Sequence, residues 1–218
     1  MPKKKYKMSP KDMAMVVDRV MPMEGEWKRF MGRPEERGCW LVWGRSFSGK
    51  TRLVLSLAKY IAEIGYKVAY LSLEEGNSVS MRKAFREACM ESVNERLMLW
   101  VEMDVEDMKA ELRKQRSPQV VVIDSLQYLG INYQGYKELK REFENKLFIF
   151  ISHANEKKEP MGATAVRIRY DAMVKILVDG FRAKAFSRYG GGEVMTVWEY
   201  GALQNPEGES GLEKMEEI

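Results

Sequence analysis

Two patterns of apolar residues alternate along this chain. Five short runs, "CWLVWG" (39–44), "KVAYLSLEE" (67–75), "LMLWVE" (97–102), "QVVVIDSLQYL" (119–129) and "KLFIFISHA" (146–154), are apolar on both faces, the signature of fully buried strands. Between them lie stretches with helical spacing: "KTRLVLSLAKYIAEIGY" (50–66), ending near Gly65, then about 79–94, "DVEDMKAELRKQR" (104–116) and "YKELKREFE" (136–144). Strands buried on both sides and alternating with helices predict an α/β fold, a mainly parallel sheet covered by helices on both faces. The pattern changes at 174–201, where strands joined by a Gly-rich turn predict a C-terminal antiparallel β extension.

The ends read differently. "SPKD" (9–12) is a helix start, with Ser9 as N-cap and Pro10 in the first turn, leading into an amphipathic helix carrying Met13, Val16, Val17 and Val20. Residues 21–37 are punctuated by Pro22, Gly25, Gly32 and Pro34 and read as irregular. The expected organisation is therefore a helical and irregular extension (1–37), an α/β core (38–204) and an acidic, disordered tail (205–218).

Composition narrows the classes. Of 218 residues, 45% are hydrophobic and 31% charged, which excludes a disordered chain. No apolar stretch approaches the roughly 20 residues that cross a bilayer, so no membrane role is expected. The basic "MPKKKYKMSPKD" start lacks the apolar core of a secretion signal. Two cysteines without metal-ligand spacing fit a reducing, cytoplasmic setting. The net charge of +4 permits a nucleic-acid partner without requiring one.

The chemistry begins at "GRSFSGKT" (44–51), which matches G-x-x-x-x-G-K-[ST] between a buried strand and an amphipathic helix. In that setting the backbone from Gly44 through Arg45, Ser46, Phe47, Ser48 and Gly49 wraps a phosphate, and the helix beginning Lys50, Thr51, Arg52 points its positive end at the same anion. Lys50 would reach the β- and γ-phosphates of ATP, and the Thr51 hydroxyl would ligate Mg²⁺. Asp124 ends an apolar strand at the C-terminal edge of the sheet and is the candidate metal-side carboxylate. Glu74 and Glu75 close another strand at that edge; Glu74 is the favoured general base for an attacking water, with Glu75 second. His153, the only histidine, stands where an apolar run gives way to a polar stretch, and is either a core residue or part of the site.

Taken in order, these motifs resemble the RecA-like P-loop ATPases, above all the motor domains of DnaB-type replicative helicases and RadA/Sms repair proteins. "AYLSLEE" is similar to the strand ending in their catalytic glutamate, here Glu74. "VVVIDSLQYL" is similar to the strand with their metal-site aspartate, here Asp124, followed by a D-x-L-Q pattern through Gln127. "IFISHA" resembles the strand whose end senses the γ-phosphate, here His153. "AFSRYGGGEVMTVWE" looks like the late hairpin whose basic finger enters a neighbouring subunit's site, here Arg188 with Lys184 nearby.

The resemblance implies an Mg²⁺-dependent ATPase that forms a homo-oligomeric ring or filament and acts on single-stranded DNA. Its DNA-gripping loop would correspond to the segment with Lys157, Lys158, Gly162, Arg167 and Arg169. The chain departs from the pattern in carrying Phe186 where the RadA-type K-x-R-x-G motif has its lysine. It also lacks a primase-binding helical domain, a four-cysteine zinc module and a protease-like domain, which implies a bare motor core. The rival expectation is a KaiC-like ATP-dependent switch that regulates a protein partner and ignores nucleic acid.

Overall fold

The computed structural model describes residues 7–206 together with Gly208 and Leu212. Helix α1 (Pro10–Ala14) starts as its sequence dictates, with the Ser9 hydroxyl accepting from the Asp12 amide and the Asp12 carboxylate returning to the Ser9 amide. It stops after five residues and buries none of them. Val16, Val17 and Val20, expected on its apolar face, lie beyond its end and are exposed. Val20 instead forms an isolated antiparallel bridge with Glu35, and β-branched residues do not extend an unsupported helix.

The segment expected to be irregular contains helix α2 (Gly25–Met31), which buries Phe30 and Met31. Together with Met21 and Met23, both fully buried, these residues join the main core. Glycines and prolines mark the two ends of this helix rather than the absence of one.

The remaining elements follow in the order β1 (Gly38–Gly44), α3 (Lys50–Glu63), β2 (Val68–Ser72), α4 (Val79–Glu87), β3 (Leu97–Val101), α5 (Val105–Arg113), β4 (Val120–Asp124), α6 (Leu126–Leu129), α7 (Tyr133–Glu142), β5 (Leu147–His153), α8 (Ala163–Asp171), β6 (Val174–Asp179), β7 (Arg182–Ser187), β8 (Met195–Thr196) and α9 (Glu199–Gln204). Helix α4 is shorter than the spacing implied. Cys89 adopts a left-handed φ of 51°, and a 3-10 turn, Met90–Val93, replaces the last helical turns. "QYL", expected to prolong β4, is instead the short helix α6.

The strands form one eight-stranded sheet in the order β3-β2-β4-β5-β1-β6-β7-β8. The first six are parallel, and β7 and β8 add antiparallel at one edge. Alternate residues of β1 feed opposite faces. Trp40 and Val42 pack beneath α3 with α2, while Cys39, Leu41 and Trp43 pack against α7 and α8. Each buried Val, Leu, Ile or Phe side chain contributes about 1.5–3 kcal/mol, so a sheet covered on both faces provides a rigid frame for its C-terminal edge. The tail is less separate than expected. Leu212 is fully buried and its carbonyl accepts a hydrogen bond from Lys184 Nζ at 3.3 Å, while the rest of the acidic stretch lies outside the described residues apart from 205, 206 and Gly208.

Candidate active site

The phosphate loop leaves β1 at Gly44, where a Cβ would lie 2.1 Å from the Val178 carbonyl of β6. Only glycine lets the two strands pair this closely. Gly49 closes the loop at φ 100°, a left-handed conformation, and α3 begins at the next residue. Lys50 is half-buried, and burial draws its ammonium below the usual lysine range while Asp124 and Glu74 oppose the change. Its Nζ donates to the Arg45 carbonyl at 2.7 Å, across the mouth of the loop. A cleft of about 400 Å³ opens here, lined by Ser46, Phe47, Gly49, Lys50, Thr51 and Arg52 together with Glu74, Glu75, Asp124 and His153. Ser48 turns inward with its hydroxyl unpartnered, and Phe47 is 95% exposed at the rim with φ 61°.

The ends of adjacent strands deliver the acidic groups. Ser72 of β2 pairs with Asp124 of β4, and Gly44 of β1 pairs with His153 of β5. The Asp124 carboxylate accepts a 2.6 Å hydrogen bond from the buried Tyr70 hydroxyl. Burial pushes the Asp124 carboxyl up to about 6, with Glu74 and Glu75 adding to the rise and the Tyr70 hydroxyl and Lys50 opposing it. The chain leaves β2 with the Glu74 amide donating to the Asp124 carbonyl at 3.2 Å, and the Glu74 carboxylate stands 3.1 Å from His153 Nε2. The neighbouring Glu75 turns away to accept from Ser78 and Ser80 at the start of α4. The lone histidine is thus a partner of the glutamate.

Three carboxylates face Lys50 and Arg52 across this cleft, and an anionic triphosphate entering it would add negative charge. Among the described residues no cluster of His, Cys, Asp and Glu forms a metal site by itself; the Thr51 hydroxyl and the Asp124 carboxylate are the groups that would hold a divalent cation together with a bound triphosphate.

The segment after His153 is tied to the phosphate loop, to β1 and back to its own start. Arg45 donates to the Glu156 carbonyl at 2.9 Å, Trp43 Nε1 donates to the Lys158 carbonyl at 2.9 Å, and the Met161 amide returns to the His153 carbonyl at 2.8 Å. Gln127 braces the same turn by donating to the Ser152 hydroxyl and the Met161 carbonyl. The expected long basic loop is shorter than the sequence implied, because from Ala163 the chain is helix α8. Lys157 is exposed on the loop, whereas Lys158 pairs with Asp179 at 2.6 Å. Arg167 is exposed on α8 over the Tyr133 ring. Arg169 departs from its expected place on a nucleic-acid face: it is buried, because the inner side of α8 packs on the sheet.

Lys184 belongs to β7 and Arg188 follows its last residue, Ser187, so the direction of the strand carries Arg188 away from the cleft. Val178 of β6 lies beside Gly44, but Val174, four residues back, pairs with Ser187. That distance is about 13 Å along the strand, too far for Arg188 to reach its own phosphate loop.

Sequence reasoning missed the aromatic wall of the cleft. Phe181, in the β6–β7 turn, donates its amide to the Ser48 carbonyl and packs edge-on against Trp198, over which Arg52 is placed. No motif marks Phe181, and Trp198 lies in the late hairpin without any role read for it. Tyr70 was equally hidden, as one more apolar position in β2, and Gln127 carried a pattern but no role.

No protein-family model matches the chain. Among curated proteins it is similar to the DNA repair protein RadA of Chlamydia muridarum, 30% identical over 112 residues, 51% of this chain and 24% of that protein. The RadA of Chlamydia trachomatis is 31% identical over 104 residues. The chain thus spans about a quarter of the length of the curated relatives it matches. Among solved structures, a KaiC-like protein from Pyrococcus horikoshii superposes with a TM-score of 0.61 at 16% identity, covering 82% of this chain and 94% of the other. The flagellar accessory protein FlaH of Methanocaldococcus jannaschii gives 0.58 at 15% identity, covering 83% and 92%. The order of its strands, its phosphate loop and these likenesses together give the chain the RecA-like P-loop fold, with sequence similarity to RadA over half of its length.

Proposed function

We propose that this chain is an Mg²⁺-dependent ATPase that works between copies of itself and acts on single-stranded DNA. The observation that carries the reading is the convergence of Lys50, Thr51, Asp124, Glu74 and His153 on one cleft at the C-terminal edge of the sheet. The loop amides and Lys50 hold the triphosphate. Mg²⁺, held by Thr51 and Asp124, supplies neutralisation of the phosphate charge. Glu74 lies beside the lysine and accepts the proton of the attacking water as its oxygen bonds to the γ-phosphorus and the bridging oxygen leaves with ADP. To do so Glu74 exchanges its contact with His153 for the water. His153 therefore registers whether the γ-phosphate is present, and its carbonyl, bonded to the Met161 amide, passes that state to the Lys157 loop. Arg188 of another copy supplies transition-state charge that the chain's own cleft lacks.

The DNA arm of the reading draws on the similarity to RadA and on exposed Lys157 and Arg167. A second reading, a KaiC-like switch acting on a protein partner, draws on the likeness to the KaiC-like structure and on Lys158, whose charge is already taken by Asp179. Phosphate release measured against increasing single-stranded DNA separates them. Stimulation that weakens in Lys157→Glu and falls with salt supports the motor. Turnover that DNA leaves unchanged supports the switch, and no turnover with Mg²⁺ and ATP removes both.

A further inference from the structure

The backbone at Asp124 is fixed where the chain leaves β2. Its carbonyl accepts from the Leu73 amide at 2.6 Å and from the Glu74 amide at 3.2 Å. What these bonds leave free is the carboxylate, which turns about its own side-chain torsions. Among the described residues one side chain alone is hydrogen-bonded to it, the Tyr70 hydroxyl, which donates to Oδ2 at 2.6 Å.

Strand geometry selects this tyrosine over nearer groups. Residues two apart in a strand face the same way, so Tyr70 and Ser72 of β2 and Val122 and Asp124 of β4 share the α3 side of the sheet. Ser72 pairs with Asp124 directly, yet its buried hydroxyl has no partner. Ser125, the residue after Asp124, is also buried with its hydroxyl unpartnered. Tyr70 starts two residues back, about 7 Å along the strand, and its hydroxyl covers that distance to reach the carboxylate. The ring itself is locked. It is fully buried, with Phe85 of α4 edge-on at 6.2 Å and Met81 in the same core. A phenylalanine would fill the same space, so the hydroxyl is the part that packing does not require, and a buried hydroxyl is costly without an acceptor. Burial, and then the charge of Asp124, raise this hydroxyl well above its ordinary range, which keeps it a donor.

We propose that Tyr70 is a positioning residue of the metal site: its hydroxyl pins Oδ2 of Asp124 and leaves Oδ1 for the divalent cation that enters with the triphosphate. The proposal rests on the ATPase reading and deepens it. A carboxylate that turns freely has to be ordered when the cation arrives, whereas one already held is not. A phenol does this without adding a charge to a cleft where Lys50 already faces the acids.

The test measures metal affinity apart from turnover. Mn²⁺ is titrated into protein saturated with a non-hydrolysable ATP analogue, and the free ion is read from its paramagnetic resonance signal. Wild type, Tyr70→Phe, Asp124→Asn and the double variant are compared. Tyr70→Phe is expected to weaken Mn²⁺ binding by about 10-fold, while nucleotide affinity in EDTA stays within about 2-fold of wild type. Asp124→Asn is expected to weaken Mn²⁺ binding more. Adding Tyr70→Phe to it should weaken binding no further, because the hydroxyl acts through the carboxylate. Turnover should follow the metal: in Tyr70→Phe the Mg²⁺ concentration for half-maximal rate rises about 10-fold, and saturating Mg²⁺ returns the rate to within about 2-fold of wild type.

Mn²⁺ binding at wild-type strength in Tyr70→Phe, with Asp124→Asn weakened, overturns the positioning role and leaves the ATPase reading standing. A matching loss of nucleotide affinity in EDTA marks an effect on packing and overturns it as well, as does an additive loss in the double variant. Wild-type Mn²⁺ binding in Asp124→Asn takes Asp124 out of the metal site and brings both readings down together.

Discussion

Glu74 and Glu75 are adjacent in the sequence, yet the structure separates them. One faces His153 and the cleft, and the other is taken by serines at the start of α4. Glu74→Gln is therefore expected to slow phosphate release by roughly 10²–10⁴-fold while ATP affinity stays near wild type. Glu75→Gln is expected to change turnover little, and the opposite ranking would move the base to Glu75. Asp124 gives a prediction about stability. Its folded value of about 6 lies above the ordinary 3.8, so the charged carboxylate costs stability above about pH 6 and nothing below about pH 4. Stability thus falls as pH rises through that window, by on the order of 3 kcal/mol. Asn keeps an acceptor for Tyr70 without the charge. In nucleotide-free, metal-free buffer, Asp124→Asn is expected to melt above wild type at pH 8 and together with it at pH 4, and equal melting at pH 8 would refute the account.

At the scale of elements, strands and the phosphate loop were legible because they are local: a run of apolar residues, a glycine pattern, a helix start. The candidate base and metal carboxylate could be read from the same rule, since every parallel strand delivers its last residue to one edge. The His153–Glu74 contact could not, because it depends on β5 lying beside β1 and β4, an order set by packing over long separations. The same holds for α2, whose burial needs the core it covers, and for α8, whose inner face claims Arg169. The brace between α6 and the Lys157 loop yields a further expectation. His153→Ala is expected to preserve ATP binding while removing any stimulation of turnover by single-stranded DNA, as read from turnover against DNA concentration. Gln127→Ala, which releases the Met161 carbonyl, is expected to weaken stimulation in the same direction. Full stimulation in His153→Ala would cut the link between sensor and loop.

At the scale of the molecule, the sheet has two chemically different ends. Among the described residues no helix is long and apolar enough to cross a membrane. In the apolar stretch after α1, Val16 and Val17 are exposed. The antiparallel turn at β6–β7 has a further consequence, for kinetics. Arg188 runs back toward the opposite end of the sheet from Gly44, so on the proposed reading, in which it acts in another copy's site, each chain would bring half of one reaction centre and the complementary half of another. Catalysis then obeys mass action in the protein itself. Turnover per chain should decline on dilution, roughly in proportion to concentration once assemblies dissociate, and adding Glu74→Gln chains that still carry Arg188 should raise the rate of a dilute wild-type sample. A specific activity that stays constant from micromolar to low nanomolar protein would mean that one chain suffices and that Arg188 has no part in catalysis.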